Sequence, residues 1–149
     1  VFANKVVEKE LLKGNLSCLN GYKKFKREVK CGESRFDFQL DFSEVKAFVE
    51  VKSVSLVEGS VGKFPDAPTK RGVKHLKELI ELRQQGFRTA VIFVSQRSDA
   101  RSIISNDEID PLFGEWLRKA NLASVELYAY NCSVTKSTVS IKHQIPVNI

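Results

Sequence analysis

Residues 35–54 read RFDFQLDFSEVKAFVEVKSV, and this stretch decides the fold. Apolar and polar residues alternate strictly over residues 36–42, which predicts a strand with one buried face. Residues 45–54 are apolar on both faces, as is typical of an interior strand, yet they include Glu50 and Lys52. Because a charged pair in a buried strand is costly unless something pairs with it, these two side chains are candidates for function.

The two strands are predicted to form a hairpin around Ser43 and Glu44. A two-residue turn would place Asp37 opposite Glu50, whereas a four-residue loop would place Asp37 opposite Lys52. In both registers Asp37, Glu50 and Lys52 share one face of the sheet, because side chains alternate with a period of two. A three-residue loop or a bulge would break this arrangement.

The shared face favours a divalent cation. Two facing carboxylates repel each other unless an ion lies between them, and Mg²⁺ typically binds one or two protein carboxylates together with water and phosphate oxygens. A lysine beside that ion could orient or deprotonate an attacking water, or stabilise charge on a phosphate. We therefore predict Asp37 and Glu50 as ligands of Mg²⁺ or Mn²⁺ and Lys52 as a catalytic residue. A solvated strand face that carries a Glu-Lys pair is the alternative.

Composition indicates a soluble globular domain with an anionic partner. The chain has 149 residues, of which 42% are hydrophobic and 28% charged, with a formal net charge of +6 and a pI of about 9.3. This balance favours nucleic acid as the partner. The sequence contains no methionine and begins with Val1, so we expect it to be part of a longer chain.

Cysteine usage indicates a reducing compartment. Cys18, Cys31 and Cys132 are scattered and lack any metal-binding spacing, so we expect reduced thiols in a cytoplasmic protein. No apolar run approaches the roughly eighteen residues that a membrane helix needs, and no signal-peptide pattern is visible. We therefore expect no membrane partner, and a homo-oligomer stays open.

A first helix is predicted over residues 5–13, with Asn4 as its cap and Gly14 as its end. At about 100° per residue, Glu8 projects into the apolar arc of this helix. An acid directed at the core side of a short helix either reaches a metal or lies at the edge of the core. Glu8 is therefore a further candidate for the catalytic site, although Glu10 lies within the same arc.

Two basic stretches are candidates for phosphate contacts. Residues 22–30 read YKKFKREVK, in which basic and aromatic residues interleave, and an edge strand protected by charge is the alternative. A helix predicted from about residue 68 or 69 to residue 85 begins with a second basic cluster, and helix N-termini bind phosphates. The predicted nucleic-acid-binding residues are Lys23, Lys24, Lys26, Arg27, Arg35, Lys70, Arg71 and Lys74.

Two accessory candidates complete the predicted site. His75 lies in the helix just after the basic cluster and could act as a general acid or base or contact a phosphate, with simple packing in the core as the alternative. Residues 89–94 (TAVIFV) predict a central strand, and Gln96 follows its carboxyl end, where open α/β sheets usually carry their sites.

The remaining elements complete an α/β fold. Asp110 followed by Pro111 predicts a helix start, and strands are predicted over residues 125–130 and near residues 139–142. The predicted order is α-β-β-β-α-β-α-β, with a small extra strand near residues 56–64. Helices are expected to cover a mixed central sheet in one domain, and D…ExK nucleases are built on this architecture.

The chain resembles the sugar fermentation stimulation protein (SfsA) family along nearly its whole length. The stretch FPDAPTKRGVKHL, residues 64–76, is long and unusual. The other stretches that carry the resemblance are NKVVEKELLKG, GYKKFKREVKCGESRFDFQL, FVEVKSVSLVEG, VIFVSQR, DEIDPLF and VELYAYNC. Members of this family are described as prokaryotic, cytoplasmic and DNA-binding, with a regulatory link to sugar metabolism, especially that of maltose.

The resemblance implies a restriction-endonuclease-like, PD-(D/E)xK domain, preceded in the family by an OB-like β-barrel that we expect to lie outside this chain. It implies Asp37 and Glu50 as metal ligands, the carbonyl of Val51 as a third ligand, and Lys52 as the catalytic lysine. Glu8 matches the helix-one acid of resolvase-like nucleases. Gln96 lies where some of these enzymes keep a glutamine. The proline of the motif is replaced by phenylalanine at residue 36.

Three functions compete at this point. The first is a Mg²⁺- or Mn²⁺-dependent DNA phosphodiesterase that uses Asp37, Glu50 and Lys52. The second is a regulator that binds DNA without sequence preference and keeps the nuclease fold without cleaving. The third is an α/β interaction module whose positive charge is incidental.

Overall fold

The computed structural model describes residues 2–149, which form three α-helices and ten strands. The helices are α1 (Phe2–Lys13), α2 (Lys70–Gln84) and α3 (Pro111–Leu122), and a 3₁₀ turn covers Ser17–Leu19. The strands are β1 (Lys24–Cys31), β2 (Ser34–Asp41), β3 (Lys46–Val54), β4 (Leu56–Glu58), β5 (Val61–Phe64), β6 (Arg88–Ser95), β7 (Ser102–Ser105), β8 (Glu126–Val134), β9 (Val139–Ile145) and β10 (Val147–Asn148).

The strands form a six-stranded and a four-stranded sheet. The larger sheet has the order β1-β2-β3-β6-β8-β9, and the smaller has the order β10-β7-β5-β4. In the larger sheet β3, β6 and β8 are parallel neighbours, whereas β1, β2 and β9 join it by antiparallel pairing. The predicted mixed central sheet covered by helices is therefore confirmed.

Each face of the larger sheet has its own apolar core. Helix α1 covers one face, where Val7 packs in a cluster with Phe38. Helices α2 and α3 cover the other face, where Leu79 packs in a cluster with Phe93. The smaller sheet contributes Ile103 to this second cluster, so the two sheets share a core.

The side chains of the β1–β2 hairpin change the face of the sheet on which they pack near Asp37. Phe38 packs on the α1 side, whereas Phe36, two residues earlier, packs on the side of α2. Across from Asp37, Glu28 has a φ of 50°, a left-handed backbone conformation that few residues other than glycine adopt, and the Cα pairing is interrupted there. The strict alternation predicted for residues 36–42 is therefore wrong, because the hairpin changes face at this point.

The cap predicted at Asp110 is confirmed, α2 begins at Lys70 close to the predicted residue 68 or 69, and the cap predicted for α1 is wrong. Thr69 Oγ1 accepts the backbone N–H of Gly72 at 2.9 Å, and Asp110 Oδ1 accepts that of Phe113 at 3.0 Å. Asn4 lies within α1 instead of capping it, because the helix begins at Phe2.

The predicted element order contains fewer strands than the structure. The expected extra strand near residues 56–64 is a pair of strands, β4 and β5. The sequence does not predict β7 and β10, because strands of 4 and 2 residues are too short to show a period. None of the helices described combines the length and the apolar character that crossing a membrane requires.

Candidate active site

The β2–β3 hairpin has the register that a two-residue turn produces. Phe38 pairs with Val49, and the turn holds Ser43 and Glu44. One further step along this register places Asp37 opposite Glu50, which is the first of the two predicted registers.

Asp37 lies where β2 separates from β3. Its Oδ2 accepts the backbone N–H of Val51 at 2.7 Å, and its Oδ1 accepts the side-chain amide of Asn4 at 2.7 Å. The carboxyl group therefore connects β2 with both β3 and α1. Because the N–H and C=O of a strand residue point to the same edge, the carbonyl of Val51, predicted as a third metal ligand, faces the same side as Asp37.

Glu50 is 3% exposed, and Lys52 and His75 both contact its carboxyl group. Lys52 Nζ donates to Glu50 Oε2 at 3.2 Å, and the Nδ1 atom of His75 contacts the same oxygen. Lys52 Nζ also lies 3.2 Å from His75 Nδ1. A buried carboxylate needs such partners, since it is otherwise costly to remove from water.

The two carboxyl groups have displaced pKa values. Burial, together with the hydrogen bond and the negative charge of Glu50, raises the pKa of Asp37 to about 7. Burial also opposes ionisation of Glu50, but hydrogen bonds from His75 and Asp37 and the charge of Lys52 outweigh it and hold the pKa of Glu50 below its usual range. The pair therefore shares one proton below neutral pH, as closely spaced carboxyl groups do.

Glu8 lies in a cavity beside Asp37. The cavity has a volume of about 280 Å³ and is lined by Asn4, Lys5, Glu8, Arg27, Glu28, Asp37 and Phe38. Arg27 Nε lies 3.1 Å from a carboxylate oxygen of Glu8. The structure thus brings Glu8 to the cavity that Asp37 borders, with an arginine as its partner.

The donor atoms fit a hard divalent cation with an open coordination sphere. Within residues 2–149, no three His, Cys, Asp or Glu side chains are grouped as a metal site. The donors at this position are the carboxyl groups of Asp37 and Glu50 and the main-chain carbonyl of Val51. Mg²⁺ is commonly bound by one or two carboxylates with water completing the octahedron, and an ion would also offset the negative charge of the two carboxyl groups.

The predicted nucleic-acid-binding residues are all exposed. Lys24, Arg27 and Lys74 have acidic partners at 3.8, 3.1 and 3.9 Å. Lys70 and Arg71, in the first turn of α2, have no acidic partner within 4.0 Å in the described part of the chain. The remaining candidates are Lys23, Lys26 and Arg35, and the DNA contact of the whole set stays a prediction.

Gln96 is exposed just beyond the end of β6. In the parallel pairing of β3 with β6, Lys52 lies beside Phe93. Gln96 comes three residues later, roughly 10 Å farther along the strand direction. The structure therefore does not place Gln96 against Glu50 or Lys52.

Asn4 is a site residue whose role the sequence prediction missed. It precedes Glu8 by four residues, and residues four apart lie on the same face of a helix. Because Glu8 was already expected to face the site, this spacing is the signal that could have placed Asn4 there.

Related proteins show the same domain. The chain matches the family model of the sugar fermentation stimulation protein RE domain, that is, its restriction-endonuclease-like domain, over residues 1–138. It is 47% identical over 146 residues to the sugar fermentation stimulation protein homolog of Desulforamulus reducens, covering 98% of this chain and 61% of the relative. The homolog of Caldanaerobacter subterraneus is 42% identical over 144 residues, with 97% and 63% covered.

A solved structure matches the fold as well. The structure of Pyrococcus furiosus SfsA in complex with Ca²⁺ has a TM-score of 0.84 and 34% identity, over 98% of this chain and 62% of that chain. The chain thus spans about three fifths of the length of these relatives. The restriction-endonuclease-like, PD-(D/E)xK fold is confirmed by these matches, and the chain belongs to the sugar fermentation stimulation protein family.

Proposed function

We propose that this chain is a metal-dependent phosphodiesterase that cleaves DNA, with Mg²⁺ or Mn²⁺ held by Asp37, Glu50 and the carbonyl of Val51. The observation that carries the proposal is the register of β2 and β3, which sets Asp37 opposite Glu50, with the Lys52 ammonium 3.2 Å from Glu50. The complex of the Pyrococcus furiosus relative with Ca²⁺ supports a divalent-ion site in this family.

Each residue has a distinct role in the proposed reaction. Asp37, Glu50 and the carbonyl of Val51 would hold a divalent ion, whose chemistry would be to lower the pKa of a bound water and to offset charge on the phosphate. Asp37 and Glu50 hold their oxygens in fixed positions, and Asp37 gives up its proton when it becomes a ligand. The Lys52 ammonium orients the attacking water or donates to a phosphate oxygen, where it stabilises the charge that develops there.

The basic surface supports DNA as the substrate. The formal net charge is +6, and Lys70 and Arg71 lie in the first turn of α2. At a helix N-terminus the free backbone N–H groups and the helix dipole add to the side-chain charge, which favours phosphate. Contacts of this kind follow the backbone and do not read sequence, so we infer binding without sequence preference.

A regulator that binds DNA without cleaving it, with a role in sugar or maltose metabolism, is the second candidate. Glu50 is 3% exposed and both Lys52 and His75 are bound to it, which is also the arrangement of a purely structural buried ion pair. This candidate expects steeply salt-dependent DNA binding that survives the replacement of Lys52 by alanine.

A cleavage assay distinguishes the nuclease from the regulator that binds DNA without cleaving it. Labelled single-stranded, duplex and branched DNA are incubated with Mg²⁺ or Mn²⁺ and with the wild-type chain, Asp37→Asn or Lys52→Ala. We expect metal-dependent cutting that falls at least about 100-fold in each variant, because each removes a ligand or a charge at the reacting phosphate. Asp99→Asn and Lys119→Ala, which alter exposed ion pairs elsewhere, serve as matched controls.

Each result of the cleavage and binding assays points to a different function. Cutting that persists in both Asp37→Asn and Lys52→Ala would contradict the assigned site. DNA binding with a steep salt dependence and no cutting in any variant would favour the regulator. No cutting together with a flat salt response would favour an interaction module with incidental charge.

A further inference from the structure

His75 is a buried polar residue that the proposed reaction does not yet use. It lies on α2 and is 4% exposed, with its ring 6.0 Å from that of Phe36 at an interplanar angle of 50°. Its Nδ1 atom contacts Glu50 Oε2, and Lys52 Nζ lies 3.2 Å from the same nitrogen. The histidine therefore touches both the glutamate and the lysine of the site.

The contact defines which atom is the donor. Two lone pairs repel, so a proton must lie between Nδ1 and the carboxyl oxygen, and a Glu50 that is ionised, as a metal ligand must be, places that proton on Nδ1. With that proton in place, Nδ1 cannot accept from Lys52, and the ammonium donates to Glu50 Oε2 instead, at 3.2 Å. Oε2 thus carries both donors, and the other oxygen, Oε1, accepts from neither in the described structure.

The surroundings of His75 differ from those of an ordinary core residue. A leucine would fill the space beside Phe36 without the cost of burying an imidazole. Helix α2 is also anchored where it begins, since Thr69 caps it and the backbone N–H of Thr69 donates to Asp110 Oδ2 at 2.9 Å. His75 consequently projects from a fixed helix to a single oxygen of a buried carboxylate.

We propose that His75 is a positioning residue for the metal site: its Nδ1–H fixes Oε2 of Glu50, which leaves Oε1 to the ion once Asp37 has lost its proton, and sets the place of the Lys52 ammonium. The inference rests on the proposed function. Ligating carboxylates are commonly held by hydrogen bonds from a second group, and the loss of such a group typically weakens metal binding about 10- to 100-fold.

The test compares two substitutions of the same residue. His75→Phe keeps an aromatic ring and removes the donor, whereas His75→Asn keeps an N–H donor near the position of Nδ1. Mn²⁺ and Ca²⁺ affinities are measured by calorimetry, and the free energy of unfolding is measured in EDTA. His143→Asn, at the exposed histidine of β9, is the matched control.

We expect His75→Phe to bind Mn²⁺ about 10- to 100-fold more weakly than the wild type and His75→Asn to recover most of that loss. If His75 only packed in the core, both variants would change the free energy of unfolding, and His75→Asn would not bind Mn²⁺ more tightly than His75→Phe. Wild-type affinity in His75→Phe would overturn the inference while the proposed nuclease site stands. A wild-type chain that binds neither ion would overturn the metal site itself, and with it the role of His75.

Discussion

The Asp37 carboxylate accepts the backbone N–H of Val51 at 2.7 Å. In a regular antiparallel pair this N–H would meet a backbone carbonyl of the neighbouring strand. The side chain replaces that carbonyl because the pairing of β2 with β3 ends at Phe38 and Val49. The carboxyl group is thereby held between two strands, partly removed from water and beside Glu50, and this position accounts for its displaced pKa.

Metal affinity is expected to rise with pH up to about 7. The raised pKa of Asp37, about 7, means that the carboxyl group must lose a proton before it can bind an ion. Glu50, whose pKa is lowered, is already ionised in this range. Mn²⁺ affinity should therefore increase roughly tenfold for each pH unit between 5 and 7, with about one proton released per ion. Calorimetry in buffers of different ionisation enthalpy measures both quantities.

The matched variant for this measurement is Asp99→Asn, which removes an exposed carboxyl group that pairs with Arg97 and is not among the proposed ligands. We expect its pH profile to follow that of the wild type. An affinity that is constant between pH 5 and 7 would show that Asp37 is already ionised, and would contradict the shared-proton arrangement.

Asp37→Asn should stabilise the metal-free protein at pH 8. A folded-state pKa of about 7, against an ordinary value of 3.8, means that Asp37 contributes stability that is complete below about pH 3.8 and is lost as the pH rises through 7. Asparagine can keep the bond to Val51 without a charge. We expect a gain of roughly 1–2 kcal/mol in EDTA, reduced from the full shift because the group is partly exposed.

Urea unfolding at pH 5 and pH 8 measures this difference. The gain should appear at pH 8 and shrink at pH 5, where Asp37 is protonated in the wild type as well. An equal effect of the substitution at both pH values would show that the charge of Asp37 is not the cause.

Local sequence rules predict most of the site. Periodicity and the two-residue turn place Asp37 opposite Glu50, and the E-x-K spacing places Lys52 on the same face. The Asp110-Pro111 pair identifies the start of α3, since Asp110 accepts the backbone N–H of Phe113 three residues later. These features depend on residues that are close together in the chain.

The features that the sequence does not predict depend on distant residues. The left-handed backbone at Glu28 is unfavourable for glutamate, so the local sequence does not predict it, and Phe36 changes face near the same point of the hairpin. The bond from Asn4 to Asp37 joins residues 33 positions apart. Likewise the role of His75 depends on how α2 docks onto the sheet, which periodicity alone does not define.

Lys70 and Arg71 are expected to contact DNA phosphates. The Lys70→Ala/Arg71→Ala double variant should weaken binding to duplexes of any sequence and reduce the slope of log affinity against log salt by about 1.8, since each lost contact changes it by about 0.9. Fluorescence anisotropy over a salt series measures the slope. Lys136→Ala/Lys142→Ala, which removes two exposed lysines in β9 and in the turn before it, is the matched control. An unchanged slope in the first variant would remove α2 from the DNA interface.

Asp110→Ala should destabilise the fold more than a single lost cap. Asp110 is 8% exposed, and its two oxygens accept from Phe113 at the start of α3 and from Thr69 at the start of α2. Losing a cap costs about 1 kcal/mol, and leaving a second N–H without its partner adds about 1–2 kcal/mol. We expect urea unfolding to show a loss of about 2–3 kcal/mol, against less than about 0.5 kcal/mol for Glu115→Ala in an exposed i,i+4 pair. Equal losses in the two variants would mean that Asp110 does not join the two helices.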